Sequence, residues 1–325
     1  MREKSTLLFT SQFEKDVYEG LTQFPKQLSS KYFYDSKGDA LFQEIMEMPT
    51  YYLTNCEYDI LETFKNEICN YFKSDFNGFD LIELGAGDGK KTKILLEHLV
   101  NLNTSFTYLP IDISENALEQ LKTSLYNELP DVTVNPMQGT YFESIESLCR
   151  THQRKKVILF LGSNIGNLLH PQAIEFLLGI QNLMNKEDLF FIGFDQKKHP
   201  QTILEAYNDR EGITEKFNKN LLTRINRELD GDFNPDKFIH WEVYDPESGT
   251  AKSYLVSKEK QEVRINHLGM NISFGAWETI HTEISQKYNP ETVRWLCKKA
   301  GLEIVDEFGD TKKMYKNYLL KKNLK

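Results

Sequence analysis

Cysteine is scarce in this sequence. Its four residues, Cys56, Cys69, Cys149 and Cys297, stand far apart, with no CxxC pair and no Cys/His cluster. That excludes a disulfide framework and a structural zinc site, and it fits reduced thiols in a cytoplasmic protein. The seven histidines also lack metal-ligand spacing, so no metal is expected. Long apolar runs are missing as well. The longest, Val157 to Leu161, has five residues, against the roughly 20 that a membrane-spanning helix needs. The opening residues Met1 to Ser5 carry no apolar stretch of the signal-peptide kind. Nor is there an excess of positive charge. Thirty-nine basic residues face 48 acidic ones, a net charge of −9, which excludes a uniformly basic footprint for nucleic acid. With 10 prolines and no Gly/Ser-rich stretch, no linker strings one part of the chain apart from another.

What is present is a globular composition, 40 % hydrophobic over 325 residues, enough for two domains of about 150 residues each and a core without covalent staples. The middle of the chain alternates two periodicities. Asp80 to Leu84, Phe106 to Ile111, Val132 to Met137, Lys156 to Leu161 and Asp188 to Phe194 read as strands, the best of them apolar throughout. Lys90 to Val100, Ser114 to Leu129 and Pro171 to Leu183 have helical spacing, with Ser114 as an N-cap. Strands alternating with helices predict an α/β fold, a doubly wound, Rossmann-like sheet covered on both faces. Near the end, Asn289-Pro290-Glu291 starts a helix that Gly301 stops, and Leu302 to Phe308 and Met314 to Leu320 close the sheet. Residues 63–195 with 288–325 therefore form one domain. Residues 1–62 and 196–287 fall outside the alternation and form a second, α+β domain. In it Gly212 to Leu229 is helical, and Phe238 to Tyr244, Ala251 to Val256 and Glu262 to Ile265 alternate as strands.

The sharpest local signal is Glu83-Leu84-Gly85-Ala86-Gly87-Asp88-Gly89 at the end of the first strand. A P-loop needs four residues between its glycines and then Gly-Lys-Ser/Thr. Here three residues separate Gly85 from Gly89, and Lys90 is followed by Lys91. A dinucleotide fingerprint needs its third glycine one position later and an acid roughly 20 residues on. Here the strand-end acid, Asp112, lies 27 residues after Gly85. The remaining ligand is S-adenosylmethionine (SAM), which has no pyrophosphate to cradle; the ELGxGxG turn resembles the first motif of class I methyltransferases. Asp112 is placed to accept hydrogen bonds from the ribose hydroxyls. A tight turn with no ligand is the plain alternative for a lone GxGxG. A second loop, Gly162-Ser163-Asn164-Ile165-Gly166-Asn167, leaves the carboxyl end of a buried strand, where ligands bind in open α/β sheets.

Beyond these loops the sequence resembles the L-histidine Nα-methyltransferases, which make hercynine on the way to ergothioneine; fungal dimethylallyltryptophan N-methyltransferases look like relatives. The likeness spans nearly the whole chain. It runs through Lys31 to Gly38, Met48 to Thr54 with Glu57, the ELGAGDGKKT turn, FLGSNIGNL, Ala206 to Asp209, Phe217 to Asn220, Ile225 to Leu229 and Thr282 to Tyr288. Position by position it implies that Tyr34, Asn167 and Tyr207 hold the α-amino and α-carboxylate groups and serve as the catalytic set. It implies that Tyr51, Glu283 and Ser285 face the imidazole. Glu83, Gly85, Gly87, Lys91, Asp112, Thr140, Tyr141, Gly162 and Ser163 would bind SAM.

Two places depart from the family pattern. Ser253 stands where the family has a hydrophobic residue lining the ring pocket, which bears on specificity. Gly139-Thr140-Tyr141-Phe142 replaces the family's Gly-Asp-Phe, which bears on the adenine side. The plain alternatives are core packing for Tyr34, Tyr51 and Tyr207, and an exposed strand face for Glu283.

The resemblance implies in-line SN2 transfer of methyl groups to the neutral α-amine of histidine, ending at the trimethylated betaine. A carboxylate opposite a ring N–H selects histidine, because an apolar side chain would leave it unpaired. The competing functions are methylation of another aromatic amino acid or amine, and a SAM-binding sensor without catalysis. The expected partner is a small amino acid, with no nucleic acid and no membrane, and the expected form is a monomer.

Overall fold

The structure, a computed structural model, describes residues 9–73, 77–151 and 154–324, and of 149–151 only the backbone. Met1 to Ser5 and the side chain of Cys149, both read above, lie outside the described parts. The other three cysteines are buried free thiols.

In chain order the elements are α1 (Gln12–Thr22), β1 (Lys26–Gln27), α2 (Ser36–Glu47), α3 (Tyr52–Phe72), β2 (Phe79–Leu84), α4 (Thr92–Asn101), β3 (Phe106–Asp112) and α5 (Glu115–Glu128). There follow β4 (Met137–Gln138), α6 (Tyr141–Thr151), β5 (Lys155–Phe160), α7 (His170–Leu183), β6 (Leu189–Asp195), α8 (Pro200–Tyr207) and α9 (Ile213–Leu229). The chain then runs through β7 (Phe238–Asp245), β8 (Thr250–Ser257), β9 (Gln261–Ile265), β10 (Met270–Phe274), β11 (Thr279–Gln286), α10 (Pro290–Lys299), β12 (Leu302–Gly309) and β13 (Tyr315–Lys322).

The chain divides into two compact units. The first comprises the chain up to Thr50, Pro200–Asp245 and Ala251–Ile284; the second comprises Tyr51–His199, Pro246–Thr250 and Ser285–Lys325. The expected boundary after residue 62 falls inside α3. That helix is unbroken from Tyr52 to Phe72 and packs on α4 and β13, so the division comes before it.

The second unit holds a seven-stranded sheet in the order β12-β13-β6-β5-β2-β3-β4. From β6 to β4 all neighbours are parallel, while β13 runs antiparallel to both β6 and β12. This is the expected Rossmann-like sheet, with one antiparallel strand, β13, inserted beside β6. Every residue of β2 and β6 is buried, as a sheet covered by helices on both faces requires. One side of it packs Ile82, Ile158, Phe160, Phe190 and Ile192 with Phe176, Leu177 and Ile180 of α7 and Leu296 of α10. The predicted caps form: the Ser114 hydroxyl accepts from Ala117 N at 3.2 Å, and Asn289 Oδ1 accepts from Thr292 N at 2.8 Å ahead of Pro290. The expected strand Val132 to Met137 shrinks to the two residues of β4 plus a single bridge from Val134 to Tyr108. Pro136 has no N–H to give a longer ladder.

The first unit pairs β1-β11-β8-β7 in one sheet and β9 with β10 in another. Helices α2 and α9 pack together, and α8 lies on β7. The α2 start is fixed by Asp35 Oδ1, which accepts from Gly38 N at 2.7 Å, and the α9 start by Asp209, which accepts from Ile213 N and Thr214 N, each at 2.8 Å.

Candidate functional site

Adjacent strands β5, β2, β3 and β4 bring four loops to one edge of the sheet. Between β5 and β2 the strand order reverses, the place where open α/β sheets bind ligands. At the β2 turn Gly85, Gly87 and Gly89 all have positive φ (72°, 53° and 65°), which favours glycine over residues with a Cβ. Gly85 N donates to Ile111 O at 2.8 Å and Gly87 N to Asp112 Oδ2 at 3.2 Å. Asp112 Oδ1 accepts from Ser114 N at 2.9 Å, so the carboxylate at the end of β3 is held by the backbone on both sides.

A methyl placed on Gly85 would lie 2.8 Å from the Tyr141 hydroxyl, and one on Gly162 would lie 3.4 Å from Lys91 Nζ. Around Gly87 the same methyl would meet nothing within 4 Å. The structure thus brings Gly85, Gly87, Lys91, Asp112, Tyr141, Gly162 and Ser163 to one cradle. Thr140 stands exposed at the start of α6, its hydroxyl donating to Glu143 Oε2 at 2.5 Å.

Glu83 lies beneath the turn. It is 3 % exposed and accepts from Thr92 Oγ1 at 2.5 Å and from the Tyr108 hydroxyl. Burial pushes its carboxyl up to about 7, against the pull of those two hydroxyl bonds. Its position is that of a support for the turn.

Two charged networks, which the motifs alone do not announce, sit behind this edge. Glu57 of α3 is fully buried. Its Oε2 accepts from Lys91 Nζ at 2.5 Å and Gly162 N at 2.7 Å; its Oε1 accepts from Tyr315 OH at 3.1 Å and Asn317 Nδ2 at 2.8 Å. Asp195, at the end of β6, accepts from Tyr52 OH at 2.8 Å and pairs with Lys287 at 2.8 Å and with Lys198. Burial works against the Asp195 carboxylate, but the two ammonium groups hold it below its ordinary range. Lys287 also donates to Ser285 Oγ at 2.7 Å, and Asp195 N donates to Ser163 Oγ at 2.9 Å. A predicted substrate residue and a predicted cofactor residue are thereby tied to one residue, Ser285 through Lys287 and the Asp195 carboxylate, Ser163 through the Asp195 backbone amide.

The remaining substrate candidates are divided. Tyr51, Asn167 and Ser285 belong to the second unit; Tyr34, Tyr207, Ser253 and Glu283 belong to the first. Tyr51 is buried at the start of α3, and Asn167 is exposed at the end of the turn after β5. Tyr34 packs edge-on against Phe42 and Phe217, with ring centroids 5.5 and 5.8 Å away. Tyr207 ends α8 and its carbonyl accepts from His240 Nε2 at 2.8 Å. That fixes the His240 tautomer, so its Nδ1 accepts from Asn218 Nδ2 at 2.8 Å. Ser253 is buried and donates to Glu242 Oε2 at 2.6 Å. Glu283 lies half-buried on β11. Glu242, His240 and Asn218 escape sequence reasoning. Of these only Asn218 lies in a stretch quoted for the resemblance, Phe217 to Asn220, with no role attached to it.

A family model described as "Histidine-specific methyltransferase, SAM-dependent" matches residues 13–322. The chain belongs to that family. It is 34 % identical over 300 residues to a histidine N-alpha-methyltransferase of Mycobacterium tuberculosis, covering 91 % of this chain and 92 % of the relative. The corresponding protein of Mycolicibacterium smegmatis is 33 % identical over 288 residues, 89 % of this chain and 88 % of the relative. Ergothioneine biosynthesis protein 1 of Schizosaccharomyces pombe is 30 % identical over 305 residues, which is 91 % of this chain but 39 % of that protein. The cofactor is therefore SAM, and the cradle suits it: backbone amides and an ammonium for an amino-acid end, a fixed carboxylate for ribose hydroxyls, and glycines that leave room for close approach. No group of three or more His, Cys, Asp or Glu among the described residues is arranged to hold a metal. No helix among them is long and apolar enough to cross a membrane.

Proposed function

We propose that this protein methylates the α-amine of L-histidine, adding three methyl groups to give the betaine hercynine. The observation that carries the reading is the match over nine-tenths of both chains to a histidine N-alpha-methyltransferase. SAM supplies an activated methyl group on a sulfonium with a neutral leaving group. The protein's share of the work is alignment and selection. Gly85, Gly87, Lys91, Asp112, Tyr141, Gly162 and Ser163 hold the cofactor. Tyr34, Asn167 and Tyr207 hold the amino and carboxylate groups of the amino acid. They offer neutral donors and acceptors, so the amine can shed a proton to water before each round, with no strong base built for it. Tyr51, Glu283 and Ser285 read the ring. Ser285 is itself held by Lys287, whose ammonium donates to its hydroxyl oxygen.

The test is to incubate the protein with SAM and L-histidine and to fragment the product by mass spectrometry. Three successive methyls, all on the α-nitrogen, are expected. Ring methylation, or no methylated histidine, overturns the proposal.

A further inference from the structure

Glu57 has no role in the chemistry described so far, yet it is the best-connected carboxylate at the cofactor edge. Four donors from three segments converge on it: Lys91 from the loop after β2, Gly162 from the loop after β5, and Tyr315 and Asn317 from β13. It is fully buried, and its partner Lys91 keeps about a fifth of its side chain exposed. Gly193 on β6 leaves room for it, since a methyl there would come within 2.4 Å of Glu57 Oε1.

We propose that Glu57 is a positioning residue that sets the charge of the cofactor cradle. It ties together the two loops that flank the switch point and cancels the Lys91 ammonium. The cradle can then receive a sulfonium cation in preference to the neutral thioether left after methyl transfer. This rests on the reading that Lys91 and Gly162 hold the cofactor. The physical argument is one of balance. SAM carries one more positive charge than S-adenosylhomocysteine and otherwise offers the same groups. An uncompensated lysine at the rim of a partly dry pocket repels the cation and leaves the neutral product unaffected. A buried glutamate paired with that lysine removes the repulsion. The same carboxylate reaches Gly162 N, so the charge correction and the loop spacing come from one side chain.

The experiment is isothermal titration of the full chain with SAM and, separately, with S-adenosylhomocysteine. Glu57→Gln is expected to weaken SAM binding by about 10-fold while changing affinity for the thioether by less than about 3-fold. Lys91→Gln leaves Glu57 unbalanced and is expected to move the ratio of the two affinities the other way. That second variant decides the matter if Glu57→Gln fails to fold. Equal losses for both ligands in Glu57→Gln, or an unmoved ratio in Lys91→Gln, would reduce Glu57 to a structural role and overturn the proposal. If the unaltered protein binds neither ligand, it is the placement of the cofactor at these loops that fails.

Discussion

The two units bury their carboxylates in different ways. In the second unit several pair with ammonium groups, Asp195 with Lys287, both fully buried, Glu57 with Lys91, and Asp188 with Lys156 at 3.0 Å, while Glu83 takes two hydroxyls. In the first unit Asp35 pairs with the Arg227 guanidinium, and neutral donors reach two other carboxylates. Glu242 takes the Ser253 hydroxyl, and Asp209 takes two backbone amides. A buried ion pair must be kept whole, because losing one member strands a charge in low dielectric. A carboxylate on neutral donors can be lost or replaced at the cost of a hydrogen bond or two.

The largest effect should come from breaking an ion pair. Asp195→Ala leaves Lys287 and Lys198 facing each other without their counter-charge and should cost about 3–5 kcal/mol in urea unfolding. Glu242→Gln in the first unit should cost only about 1 kcal/mol by the same measurement. Similar losses would dissolve the contrast. Next in size, Asp112→Ala should weaken SAM binding about 10- to 100-fold through lost charged hydrogen bonds, with the unfolding midpoint little changed. Unchanged SAM affinity by titration would remove Asp112 from the cofactor site. Third, Glu283→Ala should raise KM for histidine by about 10-fold or more while the Kd for SAM stays put. A parallel loss in both would mean that the strand, and not recognition, was damaged.

The last comparison is one of pH, and here the two units carry opposite signs. Burial lowers the His240 pKa from 6.5, so its contribution to stability is present above about pH 6.5 and is lost as the pH falls below it. Burial raises Glu83 from 4.5 to about 7, so its contribution is present below about pH 4.5 and is lost as the pH rises through 7. Glu83→Gln should therefore gain stability relative to the parent between pH 5 and pH 8, and His240→Gln should gain between pH 7 and pH 5. Urea midpoints across that range, with either sign reversed, would refute the assignment.

Legibility in the sequence followed range of interaction. The parallel strands announced themselves because burial on both faces leaves them with no polar side chain over most of their length, as in Leu189 to Phe194. Ser114, Asn289 and Pro290 marked helix starts because a cap bonds three residues away. The glycine turn and Asp112 stood out because backbone geometry demands those residue types. What stayed hidden depends on distant partners or on very short elements. Glu57 meets Asn317 across 260 residues, and β1 and β4 have two residues each. Ser253 was legible as a departure from the family pattern, but its partner Glu242, 11 residues away on the neighbouring strand, was not.

The claim at the centre is that this protein methylates histidine among the amino acids, with Glu283 proposed to select it. A competition assay puts it to the test most directly. The protein is given SAM and an equimolar mixture of the twenty common amino acids, and every methylated product is measured by mass spectrometry. The account predicts methyl groups on histidine alone, rising to three on the α-nitrogen. Methylation of another amino acid in preference to histidine would contradict it.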